Sequence, residues 1–150
     1  MKTGLKFLVA GSLLASSLGA HAEVLVKDAW VRATVPQQKA TGAFMKIQVP
    51  QDSRLVEVQT SAAATAEVHQ MKMDNNVMKM RAVPDLELPA GKEIELKPGS
   101  YHVMLMGLKV QVKEGDIVPL TLIIEGKDKK RETVEVKAKA RPLNSAEGKM

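Results

Sequence analysis

Two short segments of this 150-residue chain share one pattern. His69-Gln70-Met71-Lys72-Met73 and His102-Val103-Met104-Leu105-Met106 both read H-x-M-x-M. On an extended strand alternate side chains share a face, so each segment lines up one imidazole and two thioethers. Between them, Met78-Lys79-Met80 puts two further sulfurs on one face of a neighbouring strand. Thioether sulfur is neutral, soft and polarizable, and neutral imidazole adds firmer donation. Such donors suit Cu(I) and, by analogy, Ag(I), and hold Zn(II), Ca(II) or Mg(II) poorly. Two histidines and two methionines make a four-coordinate, neutral-ligand site for a monovalent ion.

A lone methionine on a strand is ordinarily core filler, and a lone histidine ordinarily hydrogen-bonded scaffold. Here two of the three histidines head the same pattern, and six of the nine methionines fall between Met71 and Met106. Cores of this chain elsewhere use Leu, Val and Ile, as at Leu120–Ile124.

The chain has no cysteine. That excludes disulfides, a blue-copper thiolate centre, thiolate zinc, a cysteine nucleophile and a lipid-modified cysteine. The aromatic content of 3% gives single-stranded nucleic acid few rings to stack on. Asp85, Glu87, Glu93 and Glu95 supply carboxylates, but their Pro- and Gly-bounded setting reads as solvated loop and edge. No Ser-His-Asp order, phosphate loop or carboxylate-rich metal motif accompanies them, so no catalysis is expected.

The elements that must position the donors are strands. Alternating runs cover 24–33, 42–49, 55–59, 67–73, 77–83, 101–108, 117–125 and 133–139. Turn residues bound each, among them Asp74-Asn75-Asn76, Pro89-Ala90-Gly91, Lys97-Pro98-Gly99 and Gly126-Lys127-Asp128. The Asp74–Asn76 turn makes 67–73 and 77–83 a hairpin. Ser61–Ala66 reads as a helical turn, and Pro119 as an edge position or bulge. Short strands at this spacing predict an all-β antiparallel sandwich or small barrel. Lys127–Arg131 (KDKKR) reads as a solvated hairpin tip.

Residues 1–22 read as a secretory signal. Lys2 and Lys6 precede an uncharged, mostly apolar run from Phe7 to Leu18, and Ala20-His21-Ala22 offers a cleavage site after Ala22. The run is too short to span a bilayer, and no later stretch qualifies. The expected product is an exported, soluble, periplasmic chain without a membrane span. Losing Lys2 and Lys6 lowers the formal charge from +5 to +3, too mild and dispersed for a nucleic-acid footprint. The expected organisation is a signal peptide at 1–22, one β domain at 23–140 and a short flexible tail at 141–150.

At these residues the chain closely resembles the periplasmic copper chaperones of the PCuAC family. Their signature is a His or Met, ten residues, Met, twenty-one residues, then His-x-Met. His69, Met80 and His102-Val103-Met104 match that spacing without adjustment, and 73–109 and 113–122 resemble the family as well. The resemblance implies a Greek-key, cupredoxin-like β-sandwich or barrel with an exposed Cu(I) site, one ion per chain, held by His69, Met80, His102 and Met104. It also implies delivery to the copper-bearing subunit of cytochrome c oxidase, directly or with a Sco-type thiol protein. Some members carry a His- and Met-rich C-terminal extension holding a second copper. The segment Arg141–Met150 has no histidine and only a terminal methionine, so no second site is expected there.

The other methionines divide. Met71 shares a face with His69 and reads as an alternate or transfer ligand. Met73, Met78 and Met106 read as packing or a hydrophobic rim, and Met45 as core. Trp30 reads as a buried anchor of the sandwich. Neither His69 nor His102 needs to be core, so alanine at both is expected to leave the fold intact. Two other readings use the same residues. One is copper or silver sequestration for metal tolerance; the other is a metal-free interaction sandwich with a sticky methionine face.

Overall fold

The computed structural model describes residues 23–145; the signal expected at 1–22 and the end of the tail, 146–150, lie outside them. Ten strands and no helix make up the described residues. They are β1 (Leu25–Arg32), β2 (Ala40–Gln48), β3 (Ser53–Gln59), β4 (Ala63–Asp74), β5 (Val77–Ala82), β6 (Leu86–Leu88), β7 (Ile94–Leu96), β8 (Tyr101–Leu108), β9 (Ile117–Gly126) and β10 (Arg131–Arg141). All are hydrogen-bonded into one rolled sheet in the order β5-β4-β8-β2-β1-β10-β9-β3-β6, with β7 pairing β2. Neighbours distant in sequence, such as β8 beside β2, carry the Greek-key crossovers of a cupredoxin-like barrel. β3 and β4 approach across the roll and line a cleft of about 320 Å³.

Alternation dictates which side faces inward. Val31, Ala43, Met45, Val68, Val103, Leu105, Leu120 and Leu122 fill the core. Met45 is core, as its isolation in sequence implied. The opposite faces of β4 and β8 carry His69, Met71, His102 and Met104, so the expected donors stand on the outer surface of the barrel.

Several local features set this frame. Asn75 and Asn76 both take positive φ, 48° and 62°, the geometry of a two-residue type I′ hairpin turn, which asparagine tolerates. Before β8, Pro98 and Gly99 (φ 82°) make a turn closed by the Ser100 amide donating to the Lys97 carbonyl at 3.0 Å. In β1, one extra residue lies between Lys27, opposite Lys46, and Trp30, opposite Phe44, with Asp28 at φ 53°. That bulge puts Trp30 on the same face as Phe44.

Four expectations change. Ser61–Ala66 forms no helical turn: from Ala63 it is strand, because β8 pairs Ala63 with Leu108 and Thr65 with Met106. β6 and β7 are additional; three residues are too few for a pattern, and pairing with β3 and β2 makes them strands. The barrel is not wholly antiparallel, since β1 and β10 run parallel. β10 also includes Arg141, whose guanidinium lies 4.9 Å from the Trp30 ring centroid. Pro119 sits on β9 opposite Lys137, beyond the last β3 pair, Gln59 with Thr121, so one side of it is a local edge.

Candidate metal centre

The site lies across four adjacent strands. His69 on β4 stands directly opposite His102 on β8, and Glu67 opposite Met104. On the outer side of β4, Met71 faces Met80 of β5. On the other side of β8, Gly42 of β2 faces Met104. His69 and His102, 33 residues apart in sequence, thus become neighbours in one row, and the three methionines sit one rung above or below it.

The two imidazole centroids are 5.9 Å apart at an interplanar angle of 59°. Rings sharing one ion at bonds of about 2.0 Å have centroids roughly 5–6.5 Å apart, so the spacing fits a single metal. Met71, Met80, Met104 and His102 line one open cleft of about 330 Å³, closed on its other sides by Arg32, Phe44 and the Pro98-Gly99 turn. His69 is half-buried and stands opposite His102, which lines this cleft.

Each imidazole is oriented by an outer partner. His69 Nε2 lies 3.0 Å from Glu67 Oε2. A carboxylate only accepts, so Nε2 carries the proton, and in the neutral ring Nδ1 presents its lone pair. That Nδ1 is buried and has no hydrogen-bond partner among the described residues. An acceptor atom buried without a donor is costly, and a cation would satisfy it. His102 hydrogen-bonds the Ser100 backbone, which favours the protonated ring. Burial nonetheless holds its pKa below the ordinary histidine value, with the charges of His69 and Arg32 acting the same way. The ring is therefore neutral near pH 7 and competent as a ligand. An imidazole fixed by a carboxylate or a carbonyl on its far side is the usual anatomy of a metal-ligating histidine.

Behind the site stands an aromatic stack outside the main core. Phe44 packs on Trp30 with centroids 4.4 Å apart, and on His102 at 6.3 Å. Trp30 is buried as expected, but in this outer stack rather than between sheet faces. Its cation–π partner is Arg141, and Arg32 stands 5.7 Å over Phe44. Gly42 makes room for the stack: a Cβ there would lie 2.9 Å from Phe44 Cζ. His102 is 6% exposed and part of this packing, contrary to the expectation that it need not be core.

Met80, His102 and Met104 line one cleft with Met71, and His69 stands opposite His102 on the neighbouring strand. Met73 and Met78 do not pack: they are 58% and 45% exposed on the hairpin beyond the site. Met106 is half-buried one rung past Met104, opposite Thr65 and Ala40. Sequence reasoning passed over Glu67, although it lies two residues from His69 on the same strand face, and passed over Phe44 and Arg32, which only the pairing of β2 and β1 brings near. A larger cleft, about 500 Å³ between β3, β6 and β9, holds instead an ion-pair cluster. There Glu125 meets Arg54 at 2.8 Å and Arg131 at 3.0 Å, and Lys127 at the KDKKR tip meets Asp52 at 2.8 Å.

A family model described as "Putative lipoprotein LpqE-like" matches residues 24–139. The "Putative lipoprotein Lxx21020" of Leifsonia xyli subsp. xyli is 32% identical over 66% of this chain, and the aligned region spans only 60% of that relative. A protein of Rickettsia prowazekii is 30% identical over 85% of this chain and 73% of its own length. Among solved structures, the apo PCuAC domain from PmoF1 superposes with a TM-score of 0.64 at 22% identity, covering 79% of this chain and 93% of that domain. The Cu(I) form of DR1885 from Deinococcus radiodurans superposes with a TM-score of 0.60 at 32% identity, covering 85% of both chains. In sequence and in fold alike, this chain belongs to the LpqE-like, PCuAC family.

Proposed function

We propose that this protein is a periplasmic Cu(I) metallochaperone, holding one ion per chain with His69, Met80, His102 and Met104. The observation that carries the reading is the His69–His102 pair: two facing imidazoles, one with a buried, unpartnered nitrogen, beside a cleft lined by thioethers. The similarity to the copper-bound DR1885 structure supports it. Soft neutral donors at this spacing select a monovalent ion over hard divalent ones.

The same geometry favours transfer. The imidazoles sit on β4 and β8, each paired on both sides, whereas Met80 lies on the exposed strand β5, which pairs only with β4. A thiolate of an acceptor reaches the ion from the open side and displaces the Met80 thioether first. The remaining ligands then leave as further thiolates bind. Copper stays Cu(I) throughout, no covalent bond of a substrate breaks, and the activity is ligand exchange rather than catalysis. The acceptor in this reading is the copper-bearing subunit of cytochrome c oxidase, reached directly or with a Sco-type thiol protein. Export follows from the signal expected at residues 1–22, and no described helix is long and apolar enough to cross a membrane.

Titration of the chain from Glu23 against a Cu(I) chelator tests binding, with one equivalent bound and the binding lost in His69→Ala. Full affinity in that variant overturns the site. A deletion strain tests delivery: oxidase activity restored by added copper supports it, whereas metal sensitivity with normal oxidase indicates sequestration.

A further inference from the structure

The β4–β5 hairpin reaches past β8 as a two-stranded arm with one uncharged, sulfur-bearing face. Met71 stands opposite Met80, and Met73 opposite Met78, in consecutive rungs. Paired strand residues have Cβ atoms about 4.5–5.5 Å apart, within reach of two flexible thioethers sharing one ion. Successive rungs are about 7 Å apart along the strands. The ladder therefore runs from the hairpin tip down to the His69 rung. Met73, Met78 and Met80 are 58%, 45% and 47% exposed. The cations of the arm, Lys72, Lys79 and Arg81, alternate onto its other face, where Arg81 bonds Gln70 at 3.2 Å. Lys79 pairs with Asp74 at 2.7 Å.

Ordinary packing does not account for this arrangement. Nothing among the described residues covers Met73 and Met78, so their flexibility fills no gap, and an edge hairpin is better stabilised by β-branched residues. What distinguishes four methionines from four other apolar side chains is sulfur, present at all four positions of two facing pairs.

We propose that Met73 and Met78 form an outer, weaker site for Cu(I) or Ag(I) that captures the ion and passes it along Met71 and Met80 to the imidazole pair. The inference rests on the proposed copper function and adds to it a second binding position and a direction of travel. A relay that is vacated in the final state changes the rates of loading and release by the same factor and leaves the affinity of the inner site unchanged.

The test uses the chain from Glu23 with 13C-methyl-labelled methionine and Ag(I) as a diamagnetic probe. The first equivalent shifts the ring signals of His69 and His102 and the methyls of Met80 and Met104; further Ag(I) shifts the methyls of Met73 and Met78. In His69→Ala, the Met73 and Met78 methyls shift from the first addition. In Met73→Leu/Met78→Leu, whose positions are exposed, the inner-site affinity is retained while Cu(I) uptake from a chelator and release back to it both slow. Met73 and Met78 methyls unmoved at every ratio, or uptake unchanged in the double variant, overturns the outer site. Silent His69 and His102 rings in the wild type overturn the copper reading instead.

Discussion

Glu67 Oε2 and His69 Nε2 lie 3.0 Å apart on one face of β4, and the nitrogen left free by that contact, Nδ1, is buried and unpartnered. An exposed carboxylate thereby decides which end of a half-buried ring is available to a metal.

Removing that carboxylate is expected to weaken Cu(I) binding without unfolding the protein. Outer partners of ligating histidines are worth about 10–100-fold in metal affinity, so Glu67→Ala should fall in that range. Glu67→Gln keeps an acceptor oxygen and should recover most of the loss. Chelator competition reads the affinity, and 15N shifts of the His69 ring read the tautomer. Wild-type affinity in Glu67→Ala refutes the positioning role.

The two histidines are expected to differ in structural weight. His69→Ala truncates a half-buried ring and should cost no more than about 1 kcal/mol of stability, whereas His102→Ala vacates a buried position beside Phe44 and should cost about 1–3 kcal/mol. Both should lose tight Cu(I) binding. Denaturant unfolding of the metal-free proteins checks the first statement, and chelator competition the second.

Acidification is expected to destabilise the metal-free protein through His102. Burial lowers its folded pKa, so below the unfolded value of about 6.5 the unfolded chain binds a proton that the folded chain resists. Stability is thus fully present above that pH and declines as pH falls from it toward the folded pKa. Unfolding free energies between pH 7.5 and pH 5.5 should show the slope, and His102→Gln should flatten it.

Gly42→Ala should damage the site from behind. The added Cβ would meet Phe44 Cζ at 2.9 Å, forcing the ring from its place between Trp30 and His102. Overpacking of this kind costs about 1–3 kcal/mol. A changed Trp30 emission together with weaker Cu(I) binding is the expected signature; unaltered emission means that the ring has not moved.

Much of this site was legible in the residues themselves. Alternation decided that His69 and Met71 share a face, as do His102 and Met104, and that Val103 and Leu105 point the other way. Asp74-Asn75-Asn76 announced a hairpin because asparagine accepts the positive φ that a two-residue turn requires. The absence of cysteine removed thiolate from the possible donors, leaving thioether as the soft one. These are properties of local chemistry and local geometry, and a sequence displays them directly.

Partnership is another matter, because a period of two tells which way a side chain points and nothing about which strand lies beside it. Only long-range pairing set His69 against His102, turned Ser61–Ala66 from an expected helical turn into the approach to β4, and made strands of Leu86–Leu88 and Ile94–Leu96. The bulge at Asp28 shifted the phase of β1 and brought Trp30 onto Phe44, closing the back of the site with an aromatic stack. The same pairing buried His102 and left Met73 and Met78 in water. The residues specified the donors; the register of distant strands, held by backbone hydrogen bonds that every residue type makes alike, decided which of them meet.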